Sequence, residues 1–95
     1  MADRFRLRVY TPESEVVDGE VRDVTAPGAY GEIGVLPDHA ALVTALAPGL
    51  LSFRGERGVV QLRIDGGFAE VLDNEVTVLA DGGEVADPSL RLGSG

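Results

Sequence analysis

A chain of 95 residues with 44% apolar content is long enough for one small folded domain and too apolar for a disordered one. Sixteen acidic against eight basic residues, a formal charge of −8, disfavour nucleic acid and anionic lipid surfaces, which both recruit Lys and Arg. The lack of Cys and the single His exclude disulfides, thiolate chemistry and a Cys- or His-built metal site, and no apolar run reaches the ~18 residues of a membrane span.

The chain alternates from its start. In RFRLRVY, Phe5, Leu7 and Val9 fall on one face and Arg4, Arg6 and Arg8 on the other, the period-two pattern of a half-buried strand. The same stretch lacks the apolar core of a signal peptide, so it reads as mature protein with a cytoplasmic default. TPES turns the chain. EVV and EVRDVTA then flank Asp18-Gly19, a dipeptide that predicts a tight hairpin. APGAYG is a second turn region, where Gly28 and Gly31 allow positive φ. EIGVL and ALVTAL follow as short strands on either side of PDHA. Leu42 and Leu46 also fit an i, i+4 helical pair, but six residues ending at Pro-Gly favour the strand. Pro48-Gly49 suits a type II turn that closes this pair. LLSFR and VVQLRID flank a hairpin at Gly55-Glu56-Arg57-Gly58, with Val60, Leu62 and Ile64 facing in and Gln61, Arg63 and Asp65 facing out. GGFAEVL and EVTVLA are joined by a tight turn at Asp73-Asn74.

The pattern is all-β: about nine or ten short strands spaced as an antiparallel sandwich needs. Residues 1–86 form this domain and residues 87–95 a short tail, where Asp87 before Pro88 has the pattern of a helix start and Gly93-Ser94-Gly95 is flexible.

Three features invite a chemical reading. Asp38-His39 offers an acid beside an imidazole, but adjacent strand residues point to opposite faces and no nucleophile stands in an obvious elbow. A structural or interface role for His39 is therefore favoured over catalysis. The acids suit a solvated outer face better than a sugar-cleaving pair or a Ca²⁺ loop, whose spacing they lack. Gly66-Gly67 and Gly82-Gly83 open no helix and carry no phosphate-loop Lys, and Gly66-Gly67 reads as a bulge or a corner.

VYTPESEVVDGEV, VTAPGAYGEIGVLPDHAALVTALAPG and IDGGFAEVLDNEVTVLAD carry a family pattern over almost the whole chain, from about Phe5 to Asp81. In this order they resemble the N-terminal domain of the ATP synthase epsilon subunit, whose mitochondrial equivalent is called delta. The resemblance implies a flattened sandwich of ten strands at the foot of the rotor. Such a domain binds the gamma subunit and rests on the polar loops of the c-ring. It couples proton-driven rotation to ATP synthesis, and it is neither an enzyme nor inserted in the membrane. No cofactor is implied. The motif glutamate that lies toward the c-ring corresponds to Glu32, with Tyr30, Gly31 and Ile33 beside it. The motif histidine that lies toward gamma corresponds to His39, and Thr44 and Thr11 match further positions on that side. Asp38 stands where the family commonly has glycine.

The family domain is followed by a two-helix arm that restrains ATP hydrolysis and in some bacteria binds ATP. About a dozen residues follow VTVLAD here, so the expectation is no such arm and no nucleotide site. No transit peptide precedes Phe5, which favours a bacterial origin and the cytoplasmic face of the inner membrane. Two other readings compete: a freestanding sandwich adaptor for another protein, and a small hydrolase using Asp38, His39 and a carboxylate.

Overall fold

The computed structural model describes residues 3–85. Eight strands follow one another: β1 (Phe5–Tyr10), β2 (Glu15–Val21), β3 (Asp23–Ala26), β4 (Ile33–Val35), β5 (Leu42–Gly55), β6 (Gly58–Leu72), β7 (Glu75–Ala80) and β8 (Gly83–Val85). They form one sheet in the order β2-β1-β7-β6-β5-β3-β4, with β8 beside β6.

The sheet folds over on itself along a line that crosses β5 and β6. Residues 42–46 of β5 pair with 67–71 of β6, and residues 48–55 with 58–65. Each long strand thus belongs to two layers, β2-β1-β7-β6-β5 and β8-β6-β5-β3-β4. Eight strands, two of them shared, give ten segments in a β-sandwich measuring 32 × 28 × 21 Å.

Alternation decides which side chains meet between the layers. Leu7 and Val9 of β1, Val24 of β3, Leu51 of β5, Leu62 and Ile64 of β6 and Val78 of β7 are fully enclosed. Each contributes about 1.5–3 kcal/mol by leaving water. Among the described residues no polar or charged side chain is buried.

Several expected turns resolve differently. Asp18-Gly19 is not a hairpin but lies within β2, opposite Arg8 and Leu7. Gly19 does not use positive φ, because the arginines of β1 give Asp18 a cross-strand partner and keep the chain extended. The chain changes layers at Arg22 instead, whose N–H donates to the Arg54 carbonyl at 2.8 Å. Pro48-Gly49 likewise ends no strand. It sits on the fold line of β5, where the neighbouring Ala47 N–H donates to the Pro27 carbonyl at 2.7 Å. LLSFR is therefore a continuation of ALVTAL, and GGFAEVL a continuation of VVQLRID. Gly66 and Gly67, at φ +107° and +135°, turn the corner in β6 as their spacing suggested. The Asp73-Asn74 turn is present, with φ +51° and +61° at its two residues, the mirror-image turn of tight hairpins. One pair, β1 with β7, is parallel. Periodicity cannot report strand direction, so the antiparallel expectation fails there alone. The helix start expected at Asp87-Pro88 lies outside the described residues.

Candidate functional site

The outer face of the β2-β1-β7-β6-β5 layer divides into a charged half and an apolar half. On the charged half, β1 turns Arg6 and Arg8 outward between the acids of β2 and β7. Asp18 accepts hydrogen bonds from Nε and Nη2 of Arg6, both at 2.8 Å. Arg8 lies 3.7 Å from Glu15 and 3.8 Å from Glu75, with its guanidinium 5.4 Å from the Tyr10 ring centre. The fork from Arg6 holds the Asp18 carboxyl below its ordinary range, and the same contact raises Arg6. Partial burial, then a hydrogen bond with Glu15, raises the Tyr10 hydroxyl. Two guanidiniums thus face Asp18, Glu15 and Glu75, with exposed Glu20 opposite Arg6, so this half is ion-paired and keeps a net negative charge.

That contact has a pH signature. A carboxyl depressed in the folded state stabilises the fold above its unfolded pKa and loses that contribution as pH falls through the folded value. Asp18→Asn is expected to be less stable than the wild type near pH 7, with the difference closing below the ordinary value of 3.8. Urea unfolding near pH 7 and at about pH 2 reads both ends of this dependence.

The apolar half is a row that crosses four strands. Tyr10 pairs with Leu79, Leu79 with Phe68 and Phe68 with Ala45, so neighbouring side chains stand ~5 Å apart on one face. Phe68 and Leu79 are 58% and 56% exposed, and Val43, two residues from Ala45 on the same face, is 70% exposed. Contiguous apolar rows on an otherwise polar sheet face are the kind of surface that protein partners cover. The sequence reading missed these residues. The signal was present: Ala69 and Val71 inward in GGFAEVL put Phe68 outward, and Val78 and Ala80 inward in EVTVLA do the same for Leu79.

The residues singled out from the sequence lie at several places around the sandwich. Thr11 follows β1 at the Tyr10 end, where its Oγ1 donates to the Ser14 carbonyl at 3.3 Å and closes the loop to β2. Thr44 lies in the edge segment of β5, but its parity is that of Leu42 and Leu46 and it pairs with buried Ala69. Its half-buried side chain therefore leans toward the core side, and Val43 takes the outer position. His39 precedes β5 at the opposite end from Thr11. Its Nδ1 lies 2.6 Å from the Ala40 carbonyl, and the nearby Leu36 side chain is 64% exposed.

Tyr30, Gly31 and Glu32 form the tip of the loop between β3 and β4. Gly31 N–H donates to the Gly28 carbonyl at 3.1 Å, and a Cβ on Gly28 would run into the Gly31 carbonyl oxygen, so only glycine fits this approach. The tip is pinned to β5 by Ala29 N–H donating to the Ala45 carbonyl at 2.9 Å. Tyr30 projects from it with 98% exposure and Glu32 is exposed, whereas Ile33 is half-buried against the core and supports the tip.

Asp38 and His39 meet no serine in any described hydrogen bond, and among the described residues no group of three or more His, Cys, Asp or Glu could hold a metal ion. A shallow cleft between β2 and the β5–β6 hairpin, lined by Val17, Val21, Phe53 and Val60 with Asp18 and Glu56, contains none of the singled-out residues.

Fold and surface together define a two-layer β-sandwich with an exposed apolar row on one face and a hydrogen-bonded loop tip at its β3–β4 connection. Residues 4–86 match the family described as ATP synthase, Delta/Epsilon chain, beta-sandwich domain, and the chain belongs to that family. It is 44% identical over 92 residues to the ATP synthase epsilon chain of Desulfitobacterium hafniense (strain DSM 10664 / DCB-2), covering 97% of this chain and 67% of that one. It is 46% identical over 84 residues to the ATP synthase epsilon chain of Carboxydothermus hydrogenoformans, covering 88% of this chain and 63% of that one. Among solved structures it superposes with a TM-score of 0.83 and 30% identity on a chain of the mitochondrial ATP synthase of Euglena gracilis, solved with its c-ring, covering 90% of this chain and 55% of that one. The chain therefore spans between about half and two thirds of the length of these relatives.

Proposed function

We propose that the chain is a non-catalytic central-stalk component of an F-type ATP synthase, at the cytoplasmic face of a bacterial inner membrane. The outer face of the β2-β1-β7-β6-β5 layer binds the gamma subunit. The Tyr30–Glu32 tip, with Ile33 beneath it, meets the polar loops of the c-ring. The domain then passes rotation of the ring to gamma without entering the membrane, binding nucleic acid or using a cofactor.

The observation that carries this reading is the Tyr10–Leu79–Phe68–Ala45 row, with exposed Val43 beside it and the charged half of the same face along its border. An apolar centre with a polar rim is the arrangement of a specific protein interface. The layer beneath the row is held in register on both sides, because residues 67–71 of β6 pair with β5 on one side and β7 on the other. Stiffness matters for a joint that carries torque, and a preformed face loses little entropy on binding.

Calorimetry of the chain with the gamma subunit of its own organism tests the proposal. One-to-one binding is expected, and His39→Ala is expected to weaken it about tenfold. No binding at micromolar gamma would leave a sandwich adaptor for another protein as the better reading.

A further inference from the structure

The turn that carries His39 is held by a side chain from another turn. His39 N–H donates to the Leu36 carbonyl at 3.2 Å, closing a four-residue turn with Pro37 second and Asp38 third. Proline fixes the second φ at about −65°. Asp38 has φ +62°. A negative then a positive φ is the type II form, which favours glycine at the third position. The type I form accepts the same proline and suits aspartate better, because its third φ is about −90°.

The two forms differ by a flip of the peptide between Pro37 and Asp38, which reverses the direction of the Asp38 N–H. In the structure this N–H donates to Asn74 Oδ1 at 2.8 Å. Asn74 Nδ2 donates to the Arg4 carbonyl at 2.8 Å, and the Asn74 carbonyl accepts the Arg6 N–H at 3.3 Å. Asn74 is itself fixed at φ +61° in the turn between β6 and β7. Its amide is thus tied to the start of β1, with the acceptor oxygen placed where only the flipped peptide reaches it.

We propose that Asn74 is a positioning residue for the interaction face: its side-chain amide selects the type II form of the 36–39 turn and so sets the direction in which Leu36 and His39 meet the partner. This role rests on the function proposed above and deepens it. A glycine at position 38 adopts the type II form unaided, whereas the aspartate of this chain depends on the acceptor supplied by Asn74.

The test is amide exchange at Asp38 together with gamma affinity, in Asn74→Gly, Asp38→Gly and the double variant. Asn74→Gly keeps the hairpin, since Asp-Gly is a preferred pair for this two-residue turn. It is expected to speed exchange of the Asp38 amide about tenfold or more and to weaken gamma binding about tenfold. Adding Asp38→Gly is expected to return the affinity to within about threefold of Asp38→Gly alone, a coupling that a general loss of stability would not produce. Unchanged exchange at Asp38 in Asn74→Gly overturns the proposal, because the clamp is then absent. Faster exchange with unchanged affinity overturns it as well, because the turn then has no part in binding. A wild-type chain that does not bind gamma overturns the proposed function and the positioning role with it. That failure shows before any substitution, whereas the other two show only in the variant.

Discussion

Phe68→Glu is expected to weaken binding of the gamma subunit about a hundredfold while moving the melting temperature by only a few degrees. Phe68 sits at the middle of the apolar row, between Leu79 on one side and Ala45 on the other. At 58% exposure it contributes little to the core, so its removal leaves folding largely intact. In the proposed complex the ring would be covered, and covering an aromatic side chain is worth about 1.5–3 kcal/mol. A glutamate there loses that term and also places an unpaired charge in a drying interface. The matched control is Val59→Glu. Val59 is 47% exposed on the outer face of the other layer, and its substitution is expected to leave gamma affinity unchanged. Calorimetric affinities of the two variants, with thermal melts of each, separate surface from stability.

Gly67→Ala is expected to cost about 3 kcal/mol or more of folding stability. Gly67 has φ +135°, a conformation that an L side chain rarely adopts. A Cβ there would also run into the Leu79 carbonyl oxygen and lie 2.9 Å from the Ala80 Cα. The backbone has no room to yield, since Gly67 pairs with Leu46 on one side and Ala80 on the other, at the corner that lets β6 serve both layers. Gly19→Ala is the contrast. Gly19 lies within β2 without positive φ, and nothing stands within 4 Å of an added Cβ. That substitution is expected to change stability by less than about 1 kcal/mol, because it only restricts the unfolded chain. Urea unfolding of both variants provides the comparison.

The contrast between these glycines also explains how far the sequence could be read. Inward and outward positions in RFRLRVY and VVQLRID followed from parity alone, since each strand has one apolar face and a slip of one residue would expose the core. The Asp73-Asn74 and Gly55–Gly58 turns were legible because two-residue hairpins need specific residue types. Asp18-Gly19 has the same local chemistry as a hairpin, yet it lies in a strand because Arg6, twelve residues earlier, holds Asp18 across the ladder. Pro48-Gly49 and Gly66-Gly67 look alike as chain breakers, but both sit in continuous strands at the fold line of the sheet. A local pattern cannot distinguish a corner from an end when the deciding partner lies far along the chain.

For the candidate site, family motifs pointed to the Tyr30–Ile33 loop, His39, Thr44 and Thr11. They did not distinguish an exposed tip residue such as Tyr30 from a supporting one such as Ile33, because burial depends on what the loop packs against. They also passed over Phe68, Leu79 and Val43. These three form a surface only when cross-strand register brings them together, and register emerges from the folded sheet. Asn74 was read as a turn residue, and the reach of its amide to Asp38 and Arg4 depends on the same folded register.

The most direct test of the interaction face is a titration of the isotope-labelled chain with unlabelled gamma subunit, following each backbone amide by NMR. Shifts or losses at Thr11, His39, Val43, Phe68 and Leu79, with Leu50, Val59 and Gln61 unmoved, are the predicted result. Perturbation centred on Leu50, Val59 and Gln61, with the Phe68 row unmoved, would place gamma on the opposite layer and contradict the account.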